Sequence, residues 1–359
     1  MDKNRINEFV GDTALTVVDV MERIDKNSKG ILFIVDENEM LFGCVTDGDI
    51  RRWIIRTGNL NASVLDVMNK KPKYLYIEKK GIARDVMIEK RITAIPILDK
   101  TMRISDIVLL NEECSALEEK KKGDLSFVPV VVMAGGKGTR LYPYTKILPK
   151  PLIPIGETPI VERIIDCFVQ YGIEKFYMTV NYKKNMIRSY FSELLPQYKI
   201  EYIEEEQPLG TGGSIKLINE NFENPLFVTN CDALILADYA DIYDYHIRSG
   251  NSITIVSALK NITVPYGVLY SGENGELKEM EEKPRLSYFI NTGMYIINPE
   301  IIGLIPDNVM FHMTHLVEKV MLQGGKVGTY PISEDSFLDM GEITEMKRME
   351  QKLNIISEK

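Results

Sequence analysis

Residues 132–151 read VMAGGKGTRLYPYTKILPKP. They close the apolar run FVPVVVM (127–133), whose β-branched residues predict a strand buried on both faces. Gly135, Gly136 and Gly138 then let the backbone come close to a ligand and expose N–H groups to an anion. Arg140 adds a planar fork of donors suited to phosphate oxygens, and Lys150, between two prolines, adds a point charge on a stiff segment. Neither common phosphate fingerprint fits. Lys137 is followed by Gly138 instead of Ser or Thr, and Leu141 stands where a dinucleotide loop needs its third glycine.

Downstream of this stretch, strand and helix signals alternate. TPIVERIIDCFVQYG has helical spacing, with Pro159 near its start and Gly172 beyond its end. KFYMTVNY and NPLFVTN read as further strands, and NMIRSYFSELL and ADIYDYHIRSG as helices. The segment around Asn274-Gly275 predicts a hairpin. The expectation is an α/β fold: a doubly wound, Rossmann-like and mostly parallel sheet with a late antiparallel piece.

Upstream, two stretches repeat. VVDVMERIDKNSKGILFIVDEN (17–38) and ARDVMIEKRITAIPILDKT (83–101) each give Asp-Val-Met on a helix, then a short apolar strand. Two small α+β units burying their faces together are the economical arrangement. Residues 111–126, charged and poor in apolar side chains, read as a linker, dividing the chain into domains 1–110 and 127–359.

Composition narrows the function. The chain has 359 residues, of which 45% are hydrophobic and 26% charged, as in an ordinary globular protein. Residues 1–110 carry 18 Lys and Arg against 17 Asp and Glu, and the remainder carries 25 against 35. Such an acidic domain does not suit nucleic acid. Without an apolar span or a leader-like N-terminus, a cytoplasmic protein with no membrane partner is expected. Cys44, Cys114, Cys167 and Cys231 form no C-x-x-C pair and read as free thiols.

The spacing G-G-x-G-T-R-L-x-P-x-T-x-x-x-P-K-P (135–151) resembles the signature of the sugar-1-phosphate nucleotidyltransferases. The resemblance extends over about residues 127–359. It implies nucleotide binding by Ala134, Gly135, Gly136, Gly138 and Thr139, and by the loop that holds Gly210 and Thr211. It implies catalytic cations at Arg140, Lys150 and Lys283, and sugar contacts at Glu282, Asn291 and Gly293. It assigns Mg²⁺ to Asp232 and Asp339; Cys231 replaces the glycine usual before the first of these. Upstream, Gly43–Asp49 resembles a tandem cystathionine-β-synthase (CBS) domain pair. That resemblance implies an adenine nucleotide held by Thr46 and Asp49, and the second unit lacks the Thr-x-x-Asp pattern.

Together these imply nucleotidyl transfer from a nucleoside triphosphate to a sugar 1-phosphate. The loop around PLGTGG resembles that of mannose-1-phosphate guanylyltransferases and related heptose- and hexosamine-phosphate enzymes more than the thymidylyl branch. With a CBS pair ahead, the chain resembles the glucosamine-1-phosphate guanylyltransferases of legionaminic acid synthesis, which implies GTP and an amino sugar phosphate, for cell-surface glycan or nonulosonic acid. A homo-oligomer is expected. Uridylyl or cytidylyl transfer stays open, and so does a nucleotide-sugar sensor without turnover. His312-x-x-His315 has no third ligand beside it and is read as structural.

Overall fold

The computed structural model describes residues 6–27, 29–90, 92–109, 123–341 and 343–353. The chain divides into two compact units, Met1–Lys120 with Leu259–Tyr288, and Lys121–Ala258 with Phe289–Lys359.

The first unit contains two three-stranded sheets. Strands β1 (Val10–Asp12), β2 (Ile31–Val35) and β3 (Leu41–Thr46) form one, in that order. Helix α1 (Val17–Asn27) lies between β1 and β2 in sequence, and helix α2 (Asp47–Thr57) follows β3. Strands β4 (Leu75–Tyr76), β5 (Ala94–Leu98) and β6 (Ile104–Leu109) form the other, with helix α3 (Ala83–Lys90) before β5. A shared core joins them: Phe9, Phe33 and Cys44 pack with Ala94, Ile107 and Leu109. The expected repeat is thus present as β1–β3 and β4–β6. The residues just after β6, with Cys114, fall outside the described residues, as does most of the expected linker. Its last part does not behave as a linker: Leu125 is buried in the second unit's core and its N–H donates to the Tyr171 carbonyl.

The second unit is built on a seven-stranded sheet. Strand β7 (Val130–Met133) is followed by the two-residue strands β8 (Pro154–Ile155) and β9 (Thr158–Pro159), then helix α4 (Ile160–Val169). Next come β10 (Lys175–Val180), α5 (Lys184–Leu194), β11 (Lys199–Glu204), β12 (Leu226–Asn230) and β13 (Ala233–Ile235). Helix α6 (Tyr239–Ser249) leads to β14 (Ile253–Thr263) and, after the hairpin β15 (Val268–Ser271) and β16 (Leu277–Glu281), which groups with the first unit, to the long β17 (Arg285–Ile297). Helix α7 (Met313–Leu322), β18 (Val327–Ile332), β19 (Phe337–Asp339) and α8 (Ile343–Lys352) complete the chain.

The sheet order is β11-β10-β7-β12-β17-β14-β18. Strands β11, β10, β7 and β12 run parallel, and β17 pairs antiparallel with β12. The apolar run of β7 is explained by its position. Val130 and Val132 face a core shared with α4 and α6, and Val131 and Met133 face another shared with α7. Period-two alternation sends every second side chain to each face, so a central strand covered on both sides must be apolar throughout. The hairpin forms around Asn274 and Gly275 as expected, both at positive φ.

Candidate active site

Strands β7 and β12 are parallel neighbours, so the loops after them leave the sheet on one edge. Gly135–Arg140 follows the first strand, and Cys231 and Asp232 follow the second. The glycines differ in what requires them. Gly138 lies at φ 63°, where a Cβ would meet the Lys150 Cβ at 2.9 Å. Its carbonyl accepts from the Thr145 hydroxyl at 2.8 Å. A Cβ at Gly135 would lie 2.6 Å from Glu205 Oε1. A Cβ at Gly136 would touch nothing within 4 Å, so the protein itself makes no steric demand for glycine there.

Four side chains from distant segments converge near this loop. Lys150, on a short 3₁₀ turn, forms an ion pair with Asp232, and both side chains are nearly buried. Asp339 arrives on β19, which pairs antiparallel with β13 and places Asp339 opposite Ala233. The Met340 N–H donates to the Asp232 carbonyl at 2.8 Å, locking the two carboxylate segments together. A Cβ at Gly341 would lie 2.7 Å from Asp339 Oδ2 and 3.6 Å from Arg140 Nη1, which places the guanidinium near the second carboxylate. Burial raises the Asp339 carboxyl above its ordinary range and the Asp232 charge raises it further, while Lys150 and Arg140 oppose them.

Cys231 is buried and its thiol is pushed up to about 12, chiefly by burial, so it is inert. Its backbone avoids the left-handed region, so cysteine fits where the resembling family uses glycine. Cys44 is likewise a buried free thiol.

The loop Gly210–Gly213 is held by intrachain contacts. Its glycines face residues 309–313 of the same chain: a Cβ at Gly210 would meet the Phe311 carbonyl at 2.8 Å, and one at Gly213 the Val309 carbonyl at 2.9 Å. Gly212 and Gly213 both donate to the Phe311 carbonyl at 2.9 Å, and the Thr211 hydroxyl accepts from Met313 N–H. His312 and His315 belong to this tiling. Their rings lie edge to face, and His312 Nδ1 accepts from Thr211 N–H.

Asn291 and Gly293 lie on β17 beside β12. A Cβ at Gly293 would lie 2.3 Å from Asn230 Nδ2, so glycine is obligatory beside the Asp232 segment. The Asn291 side chain accepts from Gly293 N–H and donates to the Tyr295 hydroxyl. Glu282 and Lys283 are exposed and belong to the Leu259–Tyr288 part of the first unit.

Thr46 and Asp49 have a local use in the first unit. The Thr46 hydroxyl accepts from Asp49 N–H, and the Asp49 carboxylate accepts from Thr46 N–H and its hydroxyl. Together they form a capping box at the start of α2.

Sequence reasoning missed Glu205. It is 7% exposed, just past β11, between the Gly135 backbone and the Leu209 N–H, which donates to Oε2 at 3.1 Å. Burial raises its carboxyl, and the Leu209 N–H and the Ser214 and Thr179 hydroxyls oppose that rise. The available signal was its position next to the strand that ends at Glu204, parallel to β10.

The fold thus gathers a glycine-rich loop, two carboxylates and two cations on one side of a mostly parallel sheet. A profile of the nucleotidyl transferase family matches residues 129–354, more than half of the chain, and the chain belongs to that family. A CBS-domain profile matches residues 10–56. A mannose-1-phosphate guanyltransferase of Debaryomyces hansenii is 33% identical over 184 residues, 49% of this chain and 51% of that protein. A UTP–glucose-1-phosphate uridylyltransferase of Synechocystis is 29% identical over 233 residues, 59% of this chain and 60% of that protein. A Bacillus anthracis structure described as a glucose-1-phosphate thymidylyltransferase in complex with a sucrose is similar at a TM-score of 0.50 and 19% identity. It covers 65% of this chain and 97% of that one, a likeness of fold. The chain spans about half the length of the curated relatives it matches. Among the described residues, no helix is long and apolar enough to cross a membrane.

Proposed function

We propose that the chain transfers a nucleoside monophosphate from a triphosphate to a sugar 1-phosphate and releases pyrophosphate. The observation that carries this reading is the convergence of Lys150, Asp232, Asp339 and Arg140 beside the Gly135–Gly138 backbone. In the reaction, a sugar-phosphate oxygen forms a bond to the α-phosphorus while the bond to the β-phosphate oxygen breaks. No protein nucleophile is required; positioning and charge neutralisation supply the catalysis.

Arg140, on the short 3₁₀ turn Thr139–Leu141, holds the leaving pyrophosphate. Lys150, fixed by its turn and by Asp232, places its charge between the phosphates that repel on approach. The bare Gly136 backbone admits the triphosphate. Among the described residues no group of three or more His, Cys, Asp and Glu could hold a metal. Two carboxylates are nevertheless a fitting donor set for Mg²⁺, which uses one or two together with substrate phosphates. Asp232 and Asp339 would hold it, and the ion when bound supplies neutralisation of phosphate charge.

Guanine is the preferred base in this reading, and an amino sugar phosphate the preferred acceptor. Support for guanine comes from Glu205, a carboxylate beside the cradle, because guanine offers adjacent N1–H and N2–H₂ donors where uracil offers one. The guanyltransferase likeness points the same way. The test is pyrophosphate release with a panel of triphosphates and sugar 1-phosphates in Mg²⁺. Release with no pair would overturn the transferase reading. For the base, Glu205→Gln should lower the GTP-to-UTP preference about tenfold or more; an unchanged ratio would remove Glu205 from base selection.

A further inference from the structure

The single helical turn Tyr144–Ile147 lies between Arg140 and Lys150 in the chain, so the way it is held helps set where both cations stand. It cannot hold itself. One turn has no run of internal hydrogen bonds, and its last carbonyls lack partners along the helix. Packing does little for it, because Tyr144 is 45% and Ile147 73% exposed.

A distant loop supplies what the turn lacks. The Tyr144 carbonyl accepts from Leu148 N–H. The next three carbonyls accept from side chains of the loop between β10 and α5. The Tyr182 hydroxyl donates to the Thr145 carbonyl at 3.2 Å, and Lys183 Nζ donates to the Lys146 and Ile147 carbonyls at 2.6 and 2.7 Å. Thr145, fully buried, passes the restraint inward, its hydroxyl donating to the Gly138 carbonyl at 2.8 Å. The residue before the pair reaches the other wall of the cradle: Asn181 Nδ2 donates to the Glu205 carbonyl at 2.8 Å. Three consecutive residues thus tie Glu205 and the turn 145–147 to the carboxyl end of β10.

The backbone of Lys183 argues that its side chain is needed. Its φ of 53° and ψ of 32° lie in the left-handed region, where glycine is the unstrained residue. A lysine there works against the backbone's preference, and the two carbonyls it caps are the compensating use. Its ammonium also lies over the Tyr182 ring, 5.4 Å from the centroid, so the two side chains hold each other in place.

We propose that Tyr182 and Lys183 are positioning residues of the triphosphate cradle: through the turn 145–147 they set where Arg140 and Lys150 meet the triphosphate. The inference rests on the transfer reaction proposed above. Initial rates of pyrophosphate release test it, with triphosphate and sugar 1-phosphate varied in turn. Lys183→Gly suits the backbone and removes only the side chain, so the circular dichroism spectrum should stay that of the folded parent. Its KM for triphosphate should rise about tenfold, while that for sugar 1-phosphate stays within about twofold. Tyr182→Phe, which removes one hydroxyl, should move the same constant in the same direction by about threefold. Should Lys183→Gly not fold, the Tyr182→Phe split decides. A triphosphate KM unchanged in the folded variants overturns the proposal, and so does an equal rise in both KM values, the mark of a general loosening. A parent that releases no pyrophosphate fails the transferase reading, and calorimetry with GTP and Mg²⁺ then decides the positioning. Uptake weakened in the same order supports it. Equal uptake by parent and variants, or none by the parent, overturns it.

Discussion

The Thr46–Asp49 pair and the Lys150–Asp232 pair use similar polar chemistry in opposite ways. The first joins residues three apart, and each group satisfies the other at the start of one helix. The second joins residues 82 positions apart and exists only because β7 and β12 are neighbours in the sheet. Thr16 and Asp19 repeat the first arrangement in the same unit, at the start of α1. Thr-x-x-Asp in the first unit is therefore helix-start grammar before it is anything else. A polar pair that needs the whole fold to form has no such local explanation, and function is the economical one.

The sharpest way to break this comparison is to neutralise the long-range pair. Asp232→Asn should lower turnover by about 10³-fold or more, measured as pyrophosphate release, while circular dichroism stays that of the parent. Turnover near the parent's would return Lys150 and Asp232 to a structural role. Gly138→Ala should come next. Its Cβ would strike the Lys150 side chain in a left-handed backbone. The expected loss is about 10- to 100-fold in kcat, with about 1–3 kcal/mol of stability. A variant that loses stability but keeps kcat would show that the lysine's exact position is unimportant.

Much of this was legible in the sequence, for physical reasons. Strand–helix alternation follows from burial on one or two faces, so the parallel sheet could be read from apolar periodicity. Arg140, Lys150, Asp232 and Asp339 could be named because the fixed positions around them are many. Their pairing could not, because register between distant strands is not local information. Glu205 was hidden in EEEQPLG, where an acidic run reads as solvated, and only the turn that brings it against Gly135 buries it. The glycines of 210–213 were legible as a close approach, but the approaching partner, residues 309–313, lies about a hundred positions away. The grouping of Leu259–Tyr288 with the first unit was likewise hidden, since β14 and β17 run without a break across that boundary.

His246 extends the long-range side of the comparison to stability. It is 1% exposed, on α6, and bonds Thr254 on β14 and Asn298 just after β17. Asn298 donates to Glu300, which turns its amide oxygen toward His246 Nε2 and fixes that nitrogen as a donor. Burial lowers the imidazole pKa, against the opposing effects of Asn298 and Glu300. The fold therefore prefers the neutral ring. This contribution is complete above the unfolded value of about 6.5 and declines as pH falls below it. The melting temperature should fall between pH 7.5 and 5.5, and His246→Gln should flatten that slope. An equal slope in the variant would assign the acid sensitivity elsewhere.

The smallest expected effect tests the local side. Thr46→Ala removes the hydroxyl that accepts from Asp49 N–H, which costs about 1 kcal/mol at an N-cap. The chain's single tryptophan, Trp53, lies on the same helix, so its fluorescence in a urea titration reports that helix directly. Thr16→Ala, at the matching box of α1, should cost a similar amount. Equal losses would mean that both threonines serve their helices in the same way. A far larger loss at Thr46, or one that ATP reverses only there, would restore it as a ligand contact and give the two boxes different purposes.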